Sequence, residues 1–158
     1  MRLFGGLSVE GRSELELGSR KGRTVLKLLA LARGAPVPTE HIAEVLWGDD
    51  QPARPSEQVG VLVSRLRGVL GADRIVRSDA GYSLRADWYD VEELERLADT
   101  ARSALDEGRV GAARAAAEAG LALACQPLLA DEDGIWVETE RAAVAVTAAR
   151  VRRLAVDA

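Results

Sequence analysis

Two arginines on one predicted helix are the side chains of this sequence best suited to ligand chemistry. Arg65 and Arg67 lie in the segment PSEQVGVLVSRLRGVLG, which spans residues 55–71. Each guanidinium group can donate two parallel hydrogen bonds to a phosphate, so the pair could hold a polyanion such as double-stranded DNA. The same residues would also suit an ordinary solvated helix surface, and the helix alone does not decide between these interpretations.

The helix that must position these arginines has one apolar stripe. Apolar residues recur at steps of four, three and four, which predicts an amphipathic helix of about four turns; they are Val59, Val63, Leu66 and Leu70. The helical period then places Arg65 and Gln58 on one flank of the stripe and Arg67 on the other. Ser64 falls on the side of the helix opposite the stripe. One side is therefore predicted to pack on the protein and the other to stay open.

The segments before this helix predict an α+β arrangement. RLFGGLSVEG and SELELG alternate apolar and polar residues, as the strands of a small N-terminal antiparallel sheet do. RKGRTVLKLLALARG and EHIAEVLW change to the helical period and predict two helices. The arginine helix is thus the third helix of the first half.

A β-hairpin is predicted directly after the arginine helix. RIVRSDAGYSLR has apolar residues on both arms and SDAG as its turn. Three helices followed by a hairpin is the order of a winged helix, in which the third helix enters the major groove of DNA. The hairpin would form the wing and bring Arg77 to the neighbouring minor groove or backbone.

The second half predicts an all-α module. Asp90 followed by Glu93 resembles a capping arrangement at the start of a helix. VGAARAAAEAGLALACQ predicts a second helix and the residues from Ile135 to Ala158 a third, with Trp136, Val144, Ala148, Val151 and Leu154 as its candidate core. This last helix has no stop signal, so we expect either a longer chain or one more element packed here. The predicted domains are residues 1–87 and 88–158.

Charge and composition exclude several classes of protein. The net charge of −4 argues against a protein that coats nucleic acid indiscriminately, although residues 1–87 carry +2 and residues 88–158 carry −6. No apolar run is long enough for a membrane span, and no signal peptide is recognisable, so a cytoplasmic location is expected. The single cysteine, Cys125, excludes an internal disulfide and is predicted to be a small core residue.

No residue pattern predicts an enzyme, a cofactor site or a metal site. His41 is the only histidine, and no set of ligands at metal-binding spacing accompanies it. DEDG at residues 131–134 lacks the alternating ligands and the glutamate of a calcium loop, so an acidic helix-capping loop is expected. Trp47, Trp88 and Trp136 fall at the ends of elements and are predicted to fill the core and the seam between the domains.

Several motifs together resemble one family. VSRLRGVLG, preceded by HIAEVLWGDDQP and followed by DRIVRSDAGYSL, resembles the OmpR-type winged helix of the antibiotic-pathway regulatory (SARP) family of transcription factors. The second half is similar to the bacterial transcriptional activator domain of that family, and EGRVGAARAAAEAGLALACQP resembles the second helix of a tetratricopeptide repeat (TPR). The resemblance covers nearly the whole chain.

This resemblance implies a regulator that binds direct repeats in promoter DNA and helps to recruit RNA polymerase. The implied DNA-binding residues are Gln58, Ser64, Arg65, Arg67 and Arg77. The loop implied to face polymerase contains Gly48, Asp49, Asp50 and Arg54. We expect two copies to bind DNA together as a homodimer, with no phospho-acceptor receiver domain before the winged helix.

Four residues depart from the family pattern: Gly60, Leu62, Gly68 and Ser83 stand where relatives usually carry polar or basic residues. These departures predict weaker DNA binding, or a specificity that Leu62 shifts towards a thymine methyl group. They also keep open an alternative function, a protein-interaction scaffold in which the winged helix has lost its affinity for DNA and the acidic helical module binds a partner peptide.

Overall fold

The computed structural model describes residues 1–158 and contains six helices and one two-stranded sheet. The elements are α1 (Arg20–Leu31), α2 (Thr39–Trp47), α3 (Pro55–Leu70), β1 (Ile75–Ser78), β2 (Gly81–Leu84), α4 (Asp90–Asp106), α5 (Val110–Leu123) and α6 (Ile135–Asp157). The chain divides into two compact units. Unit 1 is Met1 with Ser8–Asp87, and unit 2 is Arg2–Leu7 with Trp88–Ala158. None of the helices is both long enough and apolar enough to cross a membrane.

Unit 1 is built around α3. Helices α1, α2 and α3 pack against one another, and β2 packs on α1. Val59, Val63 and Leu66 of the predicted stripe are almost completely buried, whereas Leu70 at the helix end is only partly covered. Pro55 occupies the first turn of α3, where its missing amide hydrogen is harmless. The predicted order of three helices and a hairpin is confirmed.

The hairpin pairs β1 with β2, and a third segment extends it. Arg77 lies opposite Tyr82 in the antiparallel register. Between α1 and α2, the amide of Val37 donates to the carbonyl oxygen of Tyr82 at 2.8 Å, and the amide of Tyr82 donates back to Val37 at 3.0 Å. The two hydrogen bonds attach the wing to the helical part of unit 1.

The predicted N-terminal sheet is wrong as a sheet, because the residues before α1 form only isolated bridges. Phe4 bridges to Leu128 in unit 2, and the amide of Leu129 donates to the carbonyl oxygen of Leu3 at 2.8 Å. Leu3 is fully buried. Alternation of apolar and polar residues indicates an extended segment, but it does not say which element pairs with that segment.

Asp90 anchors this N-terminal segment instead of capping its own helix. Its Oδ2 accepts hydrogen bonds from the amide of Leu3 at 2.7 Å and from the amide of Phe4 at 2.9 Å. Its Oδ1 is buried without a hydrogen-bond partner. Glu93 forms an ion pair with Arg96 instead of closing a capping box, so the capping prediction is wrong. A buried carboxylate accepts hydrogen bonds from the unpaired amides that the fold brings close to it. A local sequence pattern does not identify those amides.

Replacement of Asp90 by alanine should destabilise unit 2 by about 3 kcal/mol, because two charge-assisted hydrogen bonds are lost and two amides lose their acceptor. Amide hydrogen exchange at Leu3 and Phe4 should accelerate together, and urea unfolding should report the loss of stability. Asp106→Ala, at the end of α4, is the control and should leave both measurements unchanged. Unchanged exchange at Leu3 and Phe4 in Asp90→Ala would contradict the anchoring role.

Unit 2 is a three-helix arrangement in which α4, α5 and α6 all pack together. Small residues on α5 allow the three helices to pack closely. Ala113 is fully buried, and a β-carbon on Gly120 would lie 3.2 Å from Val151 of α6 and 3.4 Å from Leu94 of α4. The α+β winged helix followed by an all-α, TPR-like module is therefore confirmed as the fold class. Four of the five core residues predicted on α6 are buried: Val144, Ala148, Val151 and Leu154.

Several predicted core positions are wrong. Val137, not Trp136, completes the buried face of α6. Trp47 and Trp136 are only partly covered, and Trp88 is exposed. Cys125 is also exposed, because it follows the end of α5. Their apolar character and their neighbours in the sequence suggested burial. Trp88 and Cys125 lie outside the helices and do not follow a buried helix face, whereas Trp47 and Trp136 lie in the end turns of α2 and α6.

Candidate nucleic-acid interface

The side of α3 that faces away from the core is open to solvent. Gln58, Ser64 and Arg65 are exposed there, in agreement with the helical period. Val61 lies between them in the sequence and is 45% exposed. Apolar contact with a thymine methyl group is one of the ways in which a base is read in the major groove. Sequence reasoning missed Val61, although its position opposite the stripe was a usable signal.

Arg65 is the cation of α3 that is free to bind an external anion. Its side chain is exposed and has no hydrogen bond or ion pair within the protein. At the start of the helix, Arg54 and Glu57 instead form an exposed ion pair, with 3.4 Å between Arg54 Nη1 and Glu57 Oε2. The positive charge available on this side is therefore concentrated towards the C-terminal half of α3.

Arg67 connects α3 with the wing. Its Nε donates a hydrogen bond to the carbonyl oxygen of Ile75, the first residue of β1, at 2.9 Å. This bond uses one edge of the guanidinium group and leaves the Nη donors for another acceptor. Arg67 therefore differs from Arg65, because it fixes the position of the hairpin relative to the helix.

The wing carries Arg77 on its exposed surface. The guanidinium carbon of Arg77 lies 5.9 Å from the ring centroid of its cross-strand neighbour Tyr82, which orients the side chain by a cation–π contact. The turn is closed by Ser78, whose Oγ accepts from the amide of Ala80 at 3.2 Å. Arg65, Arg67 and Arg77 are thus held on one compact unit by α3 and by the hairpin that Arg67 contacts.

The departures from the family pattern have different structural consequences. Leu62 is buried, so the expectation that it shifts specificity towards a thymine methyl group is wrong: the buried face of α3 is wider than the predicted stripe. A β-carbon at Gly68 would meet no heavy atom within 4 Å, and one at Gly60 would lie 3.9 Å from the hydroxyl of Tyr82. Gly68 is therefore surrounded by open space, whereas a side chain at position 60 would contact Tyr82. Ser83 on β2 is partly exposed.

The loop from α2 to α3 is exposed along the residues expected to face polymerase. Gly48 ends α2 with a φ of 55°, and its amide donates to the carbonyl oxygen of Glu44 at 2.7 Å. Gly48, Asp49, Asp50 and Arg54 are all exposed. The loop therefore presents an acidic pair followed by the Arg54–Glu57 ion pair.

Ligand-type side chains do not gather into a metal-binding group anywhere in residues 1–158. His41 is exposed, and its Nδ1 lies 3.8 Å from Glu44 Oε2.

The chain is similar to several known proteins. Residues 12–84, which include α1 to β2, match the family described as transcriptional regulatory protein, C terminal. The chain is 31% identical over 101 residues to the regulatory protein AfsR of Streptomyces griseus, and 29% identical over 130 residues to AfsR of Streptomyces coelicolor. The chain is therefore similar to SARP-type regulators. The resemblance found in the sequence is therefore confirmed.

These matches cover unequal shares of the proteins. The two AfsR alignments include 61% and 80% of this chain, but the chain spans only 10% and 13% of those relatives. A solved structure, Mycobacterium tuberculosis EmbR in complex with a low affinity phosphopeptide, has a TM-score of 0.85 over 96% of this chain and 42% of EmbR. At 24% identity, this likeness shows the fold alone. The matched family is described as a transcriptional regulatory protein, and the two relatives are named regulatory proteins.

Proposed function

We propose that this protein is a sequence-specific DNA-binding regulator that places α3 in the major groove and the β1–β2 wing against the adjacent backbone. The observation that carries this proposal is the solvent-facing side of α3, where Arg65 has no partner within the protein. Gln58, Ser64 and Val61 share that side and supply polar and apolar groups for reading base edges. Arg67 and Arg77 contribute phosphate contacts on either side of the groove.

The proposal extends to the partners that the family resemblance implies. Two copies bind direct repeats as a homodimer, and the exposed loop with Gly48, Asp49, Asp50 and Arg54 faces RNA polymerase. The carboxylates of Asp49 and Asp50 in this loop would be complementary in charge to a basic surface on a partner protein. Activation of transcription is the expected result.

The departures also favour a second candidate function, a protein-interaction scaffold. Gly60 and Gly68 leave the DNA-facing side of α3 without two side chains that relatives use, and Arg67 is partly engaged by Ile75. In this function the acidic unit 2 binds a partner peptide and α3 binds no DNA.

Selection of bound fragments from random double-stranded DNA by the purified protein tests the first function. Enrichment of a defined sequence supports DNA recognition, whereas the absence of any enrichment at low salt supports the scaffold. The binding constant K, measured by fluorescence anisotropy at several salt concentrations, then gives the number of phosphate contacts. With three guanidinium contacts, the slope of log K against log salt should be close to about −3, and a slope near about −7 would contradict a weakened interface.

Replacement of Gly68 by lysine should strengthen DNA binding and steepen the salt slope by about 0.9, because the added ammonium group reaches a further phosphate from an open position. The affinity should rise about tenfold at low salt. Gly68→Ala separates the charge from the improved helix propensity, and it should leave the salt slope unchanged. If Gly68→Lys and Gly68→Ala gave the same slope, residue 68 would lie away from the DNA.

A further inference from the structure

Val61 is the only large apolar residue of α3 whose side chain is exposed. The helical period places it opposite the buried residues Val59, Val63 and Leu66, at the centre of the side that faces solvent. A single exposed apolar side chain is common on protein surfaces. The groups that surround Val61 therefore decide what it can bind.

The neighbours of Val61 one helical turn away are polar and exposed: Glu57, Gln58, Ser64 and Arg65. The carboxylate of Glu57 is held beside Arg54 at the start of the helix, with 3.4 Å between Glu57 Oε2 and Arg54 Nη1. The side chain of Ser64 is short, and Arg65 has no hydrogen bond or ion pair within the protein. Val61 is thus an uncovered apolar group next to a free cation.

This combination fits one chemical group of the DNA major groove. Thymine presents a 5-methyl group there, and 5-methylcytosine carries the same group at the same ring position. The guanidinium group of Arg65 attracts this side of α3 to DNA, and the groove is wide enough to admit a helix. Valine has no hydrogen-bonding group and is too short to reach the phosphates, so a methyl group on the groove floor is the partner that it can select.

We propose that Val61 is a specificity-determining residue that contacts the 5-methyl group of a pyrimidine in the major groove. The inference rests on the proposed function, because α3 must enter the groove, and it adds the chemical group that the bound sequence must present. Val61 thereby takes the role that the sequence suggested for Leu62, which is buried. DNA without this methyl group is still bound through the arginines, but with lower affinity.

A uracil scan of the sequence selected from random DNA tests this contact with the wild-type protein. Uracil differs from thymine only by the absence of the methyl group, and each thymine is replaced in turn. One position in each repeat should lose affinity about fourfold, the effect of one methyl group removed from an apolar contact. At that position, 5-methylcytosine should be bound more tightly than cytosine by a similar factor. Direct comparison of thymine with 5-methylcytosine then shows which of the two bases is the better ligand.

Val61→Ala should abolish the dependence on the methyl group. The ratio of the affinities for thymine DNA and uracil DNA should fall close to one, while the slope of log K against log salt stays unchanged because no charge is removed. Val110→Ala is the matched control. It makes the same substitution on α5 at a residue that is 48% exposed, compared with 45% for Val61, and it should keep the wild-type ratio.

Equal affinity for thymine and uracil at every position of the selected sequence would overturn the inference. A methyl dependence that Val61→Ala retains in full would also overturn it, since another residue would then contact the methyl group. In both cases the protein still binds a defined sequence, so the proposed function stands. If the wild-type protein binds no sequence at low salt, the proposed function itself fails, and the role of Val61 fails with it.

Discussion

Replacement of Arg65 by alanine should weaken DNA binding by about 1–3 kcal/mol and leave the stability of the protein unchanged. The side chain is exposed and forms no hydrogen bond or ion pair within the protein, so its removal should cost the fold little. Anisotropy titration at fixed salt measures the affinity, and urea unfolding measures the stability. The slope of log K against log salt should become shallower by about 0.9 if Arg65 contacts a phosphate, and should not change if it contacts a base.

The corresponding change at Arg67 should affect both measurements. Arg67→Ala removes a DNA contact and also the hydrogen bond to the carbonyl oxygen of Ile75, so unit 1 should lose about 1 kcal/mol of stability. Arg67→Gln removes the charge but keeps an amide donor that can reach towards Ile75. Its affinity for DNA should therefore fall as in Arg67→Ala, while its stability stays closer to that of the wild type.

The double variant Arg65→Ala/Arg67→Ala separates the two candidate functions. DNA binding should be lost if the protein is a DNA-binding regulator, whereas binding of a protein partner should persist if it is a scaffold. Arg102→Ala, which removes an exposed arginine from α4 in unit 2, is the control for net charge. Equal losses of DNA affinity in Arg102→Ala and in Arg65→Ala would mean that α3 is not the specific interface.

The sequence was sufficient to predict α3 and the wing because local patterns determine both elements. A single stripe at the helical period identifies the buried side of α3, and Ser78 to Gly81 provide a turn that only a few backbone conformations satisfy. The exposed positions of Gln58, Ser64 and Arg65 follow from that period. Their contacts with DNA remain predictions, since exposure alone does not identify a ligand.

Features that depend on contacts between distant residues could not be predicted in this way. The hydrogen bond from Arg67 to Ile75 forms because the hairpin lies next to α3, and the burial of Leu62 depends on how the rest of unit 1 packs on that helix. The attachment of Leu3 to Asp90 joins residues 87 positions apart. No pattern within either segment specifies the partner of a buried carboxylate.

Gly81 is the residue whose substitution should disturb unit 1 most. A β-carbon at this position would lie 1.9 Å from the carbonyl oxygen of Val37 and 2.9 Å from the α-carbon of Pro38, and the φ angle of 129° is one that residues with side chains rarely adopt. The obstructing atoms belong to the backbone, and they cannot rotate away. Relief of the overlap would separate Val37 from Tyr82 and break the pair of hydrogen bonds, 2.8 and 3.0 Å long, that attaches the wing.

Gly81→Ala should therefore destabilise unit 1 by at least about 3 kcal/mol, the combined effect of backbone strain and steric overlap. Urea unfolding measures the stability, and amide hydrogen exchange at Val37 and Tyr82 reports on the wing itself. Gly68→Ala is the matched control: it adds the same methyl group where no atom lies within 4 Å, and it should stabilise the protein by about 1 kcal/mol because alanine favours the helix. If Gly81→Ala unfolded at the same urea concentration as the wild type, the wing could separate from Val37 without loss of stability. The Val37–Tyr82 hydrogen bonds would then not explain how Arg77 is held on the wing.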